Sequence, residues 1–80
     1  MSKGHQFTDA ENDKKAFVTY FLSDVLSQAN ENVLKANYDT DGYTEIVTVT
    51  MVNRSEYLIN VTADSLIGIA YDVTKFMKDK

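Results

Sequence analysis

Oxygen-bearing side chains at Asn37, Asp39 and Asp41, with Gly42 directly after, form the one local pattern in this 80-residue chain that suits a chemistry. Ligands at the first, third and fifth positions of a loop, with glycine at the sixth, are what a calcium loop uses to wrap an ion. Tyr43 would offer a carbonyl at the seventh position and Glu45 a carboxylate at the ninth. The pattern then breaks. Its twelfth position, where a bidentate glutamate closes the shell, is Thr48, and its first is Asn rather than Asp. The competing reading is an Asx-rich turn into a strand, where Asn, Asp and Gly are favoured for backbone reasons. The turn is the preferred reading and no cofactor is expected; calcium, on Asn37, Asp39, Asp41 and Glu45, is the one alternative the sequence admits.

Other chemistry finds little material. His5 is the single histidine, and it falls in a stretch with nothing to hold it against a base or a nucleophile. Ser23, Ser27, Ser55 and Ser65 therefore lack the placed base that a serine nucleophile needs. Cysteine is absent, which removes thiolate catalysis, thiolate metal sites and disulfides. The three glycines are too far apart for a phosphate loop. The expectation is a protein that is not an enzyme.

Twelve acidic residues against eight basic ones give a net charge of −4, and the basic ones are scattered. Phosphate backbones need a cationic patch, so direct nucleic-acid binding is not expected. No stretch approaches the ~18 apolar residues of a membrane span. With no apolar run near the N-terminus and no cysteine, the expected location is cytoplasmic.

The elements that must position these groups can be read from periodicity. Residues 1–7 read as a flexible tail. Thr8-Asp9-Ala10-Glu11 is a capping box, opening a helix over 9–36 in which Val18, Leu22, Val25, Ala29, Val33 and Ala36 recur at spacings of three and four. From Tyr43 the period becomes two, giving strands over 43–52 and 56–61. A three-residue loop at 53–55 keeps apolar side chains together, with Met51 opposite Tyr57, Val49 opposite Ile59 and Val47 opposite Val61. That loop lacks the Gly its left-handed position usually takes. Thr62 then caps a helix over 63–78, with Gly68 in its middle as either a tolerated residue or a point of close approach.

The fold class is thus α+β, in the order α-β-β-α: an antiparallel hairpin packed by two amphipathic helices. A two-stranded sheet is marginal alone and has bare edges, and the first helix carries more apolar surface than one face holds. Both features point to a homodimer, with Phe17, Val18, Phe21 and Leu34 at its interface. Tyr20, Tyr38 and Tyr71, rigid aromatics with polar tips, are the expected surface for a separate protein partner. The functional expectation is an adaptor or inhibitor of the kind bacteria or their phages encode, working by protein–protein interaction. A small-ligand or calcium protein and an acidic nucleic-acid mimic are the alternatives.

Overall fold

Thr8 opens the first helix as its side chain predicts. Its hydroxyl accepts from the Glu11 N–H (3.2 Å) and the Glu11 carboxylate accepts from the Thr8 N–H (2.9 Å), so the capping box is closed. The computed structural model describes residues 5–78 and 80. In it, α1 (Asp9–Ala16) runs without a break through a π-helical stretch (Phe17–Leu22) into α2 (Ser23–Ala29), and together they make one rod. An α-helical step of four residues over-rotates by about 40°, which would wind a four-residue stripe off the sheet. The wider π turns set that rotation back. Val18, Leu22 and Leu26 consequently stay in line, all buried.

The rod ends at Ala29 rather than Ala36. Asn30 turns extended, and its side chain accepts the Asn32 N–H (2.9 Å), an Asx turn that breaks the helix. The chain then enters a strand, β1 (Val33–Thr40), so the order is α-β-β-β-α and the sheet has three strands. A bulge between Val33 and Lys35 explains why the sequence imitates a helix here. The extra residue sends both Val33 and Ala36 inward, a three-residue step that in an unbulged strand would change faces. Beyond it the alternation is regular, with Ala36, Tyr38 and Thr40 in and Asn37 and Asp39 out.

β1, β2 (Glu45–Met51) and β3 (Glu56–Asn60) form an antiparallel meander in that order. The β2–β3 pairing keeps the expected faces but sits two residues along, with Val47 opposite Ile59 and Val49 opposite Tyr57. Its loop is Val52–Arg54: the Arg54 N–H donates to the Met51 carbonyl and the Met51 N–H to that of Ser55. Arg54 itself occupies the left-handed position (φ 75°) that glycine usually takes.

The β1–β2 turn is built by Asp41, whose Oδ1 accepts the N–H groups of Tyr43 (2.8 Å) and Thr44 (2.9 Å). Those donors hold the Asp41 carboxyl below its ordinary pKa. Gly42 has φ +96°, and a Cβ there would stand 3.0 Å from the His5 ring. Asp41→Ala is expected to lower stability, read as a lower denaturant midpoint, because the Tyr43 and Thr44 N–H groups lose their acceptor. Asp41→Asn should recover most of it in a denaturant melt, because the amide oxygen still accepts.

α3 (Leu66–Met77) begins three residues later than expected, capped by Ser65, whose hydroxyl accepts the Gly68 N–H (3.1 Å). Thr62 cannot cap it because its hydroxyl accepts the Glu45 N–H instead (2.9 Å). Ile69, Val73 and Met77 of α3 and Val18, Leu22 and Leu26 of the rod bury the inner face of the sheet. The opposite face is left open. Gly68 has a local reason: the Asp64 side chain runs over it, and a Cβ would lie 3.3 Å from the Asp64 Cβ and Cγ.

In the segment expected as a tail, His5 and Phe7 are half-buried and Gln6 is exposed. Phe7 meets the Tyr38 ring edge-on (6.0 Å) and carries the Lys15 ammonium over its face (5.8 Å). His5 Nε2 donates to Glu11 Oε1 at 2.9 Å. The rest of the predicted tail, residues 1–4, lies outside the described residues.

Candidate functional site

Strand alternation separates the four candidate calcium ligands. Asn37 and Asp39 are on the outer face of β1, while Glu45 shares the inner face with Val47 and Val49. Asp41 lies in the turn with one carboxylate oxygen already taken by two backbone donors, and Asp39 Oδ1 accepts the Thr40 N–H (2.9 Å). The loop pattern is the backbone-driven turn. Among the described residues no three His, Cys, Asp or Glu side chains gather as metal ligands.

Glu45 instead centres the densest polar contact in the fold. Its Oε1 accepts from Lys14 Nζ (2.7 Å) and from the Tyr38 hydroxyl (2.6 Å), and its Oε2 from the Ala63 N–H (2.8 Å). One carboxylate thereby ties the rod, β1, β2 and the connection into α3. Burial works against its ionisation, but Lys14, Tyr38 and Ala63 outweigh that and lower its pKa. Burial, then the adjacent carboxylate, keeps the Tyr38 phenol protonated well above its usual range. Ala63 is held in the left-handed region (φ 66°) at the point where Glu45 grips it. Both oxygens of Glu45 are occupied by donors, so the arrangement is a clamp.

A second acidic feature lies beside α3. Asp64 Oδ2 is buried without a conventional hydrogen-bond donor. The neighbouring Asp72 carboxyl, then burial, raises the Asp64 pKa. The contribution of this pair to stability runs opposite to that of Glu45: it is present at low pH and lost as Asp64 ionises.

No protein-family model, no curated protein and no solved structure matches this chain.

The apolar surface is more distinctive than the polar clusters. Between the end of the rod and α3 lies an open groove of about 580 Å³, lined by Val25, Leu26 and Ala29 on one side and Thr74 and Met77 on the other. Helical spacing continues its rims with Phe17 and Phe21, whose rings stack at 5.3 Å, and with Ile67 and Ala70. Phe21 is 56% exposed, Tyr71 61% and Ile67 81%. Of the expected partner surface, Tyr71 lines an adjoining cavity with Lys75, which shares Thr74 and Lys78 with this groove. Tyr20 lies off it, at a shallow cavity with Lys15, Thr19 and Asn37 toward β1. Tyr38 is not surface at all, being 0% exposed, because it belongs to a strand and points inward. The expected dimer residues divide in the same way: Phe21 and Leu34 are exposed and Phe17 partly so, while Val18 is completely buried within one chain. Val25 escapes a reading of the sequence because it repeats at the spacing of the buried Val18 and Leu22.

Proposed function

We propose that this is a small acidic, non-enzymatic protein that works by holding another protein in the groove between its rod and α3, as an adaptor or inhibitor does. The observation that supports this reading is the exposed apolar side chains on the two helices that form the groove: Val25 lines it, and Phe21, Ile67 and Tyr71 are exposed on the same rod and α3. A surface of large aromatics around a concave strip is what helix-in-groove recognition uses. Contiguous exposed apolar surface on a small chain is otherwise a solubility liability.

The test is capture on immobilised protein in rising salt. Binding through this groove should survive roughly 0.5 M salt, where exposed charge attraction is screened within a few ångströms. It should fall by about tenfold or more in Tyr71→Ala and Val25→Asp, each with unchanged circular dichroism. Capture that vanishes with salt and ignores both substitutions would favour an acidic mimic instead.

A further inference from the structure

The two edges of the sheet are treated differently. The β1 edge is guarded at its start and on either side of Tyr38: the bulge between Val33 and Lys35 distorts its start, the Ser23 hydroxyl accepts the outward Ala36 N–H (2.9 Å), and Asp39 accepts the outward Thr40 N–H, leaving the outward Tyr38 N–H alone without a partner among these three. Thr19 sits one turn before Ser23 on the same side of the rod. These are the devices by which edge strands avoid pairing. On β3, Met51 N–H to Ser55 and Val61 N–H to Glu45 fix which residues face β2, so the backbone groups of Glu56, Leu58 and Asn60 face outward. Among the described residues those three outward N–H groups have no partner. Leu58, 64% exposed, stands over this edge on the open face, and Tyr57 with Phe76 (5.9 Å between rings) flanks it on the other.

We infer that a second copy of this chain adds to the β3 edge, antiparallel about a two-fold axis through Leu58, making a continuous six-stranded sheet. The register selects this occupant. Centring on Leu58 is the alignment that pairs all five residues of β3 with those of an identical strand. It sets Leu58 against Leu58 of the partner subunit and Tyr57 against Ile59 of the partner subunit. It also sets Glu56 against Asn60 of the partner subunit, so an acid faces an amide. Sliding two residues either way shortens the ladder, and centring on Glu56 opposes two carboxylates. β3 therefore meets its own copy with no like charges opposed and with its apolar side chains facing one another. The inference is independent of the groove, which lies on the helix layer away from this edge.

Sedimentation equilibrium decides it. The wild-type chain should sediment at twice its 9.0 kDa. Leu58→Lys, which sets two ammonium groups face to face, should weaken association by on the order of a hundredfold while leaving circular dichroism and the chain's own folding intact. Leu58→Glu alone should behave likewise, and mixing the two variants should restore a dimer of one of each. A wild-type monomer at millimolar concentration overturns the inference. So does a dimer indifferent to Leu58→Lys but lost in Phe21→Lys, or a mixture that stays monomeric.

Discussion

Glu45→Ala is expected to destabilise the protein by about 3 kcal/mol, which for a domain of this size lowers Tm by roughly 12–24 °C. The loss comes from what is left behind. The Tyr38 hydroxyl, attached to a fully buried ring, loses its acceptor, and so does the Ala63 N–H. Lys14 can swing outward, since its side chain keeps 17% of its exposure, so its pairing adds less than a fully buried ion pair would. Glu45→Gln should cost about half as much, because the amide oxygen still accepts while the charge is gone. The same clamp sets an acid limit. Its contribution is complete above the ordinary glutamate pKa and drains away as pH falls through the lowered native value. A melt series from pH 6 to pH 3 should therefore show wild type converging on Glu45→Gln at the acid end. Parallel curves throughout would remove the clamp from the account.

Val18→Asp is expected to abolish folding, not assembly. Val18 is 0% exposed between the rod and the sheet, and an unpaired carboxylate there exceeds the few kcal/mol by which so small a domain is stable. Phe21→Asp, three residues on at a 56% exposed position, should cost under about 1 kcal/mol. The pair separates two roles that the sequence places together at one interface. Circular dichroism at 25 °C reads both: a helical, cooperatively melting Val18→Asp chain would mean that the rod is not packed as described.

How far the candidate site is legible in the sequence turns on the same distinction. The polar residues at 37–45 are visible as a group, but their meaning depends on which face each occupies. That depends in turn on β1 existing. Once residues 33–40 are a strand, Asn37 and Asp39 must leave the side on which Glu45 and Tyr38 meet. The clamp joins Lys14, Tyr38, Glu45 and Ala63, which are far apart in sequence, and no local spacing announces such a contact. Asn30 and Asn32 carry the one local signal for the end of the rod, and the helix-like step from Val33 to Ala36 outweighs it.

Val25 and Ala29 of the expected stripe are exposed, and what the sequence determined by itself was local: the Thr8 capping box, the face parity of β2 and β3, the inward Val18 and Leu22 of the rod and the α+β class. These depend on contacts within a few residues or on a simple period, so they can be read without a partner segment. The tertiary structure alone decided where the rod stops, how many strands there are, why Thr62 yields the helix cap to Ser65, and which tyrosines see solvent. A bulge can make a strand repeat like a helix, and a hydroxyl or an amide goes to whichever acceptor or donor the fold brings nearest. Glu45 reaches Ala63 and Thr62 only because the sheet carries it there.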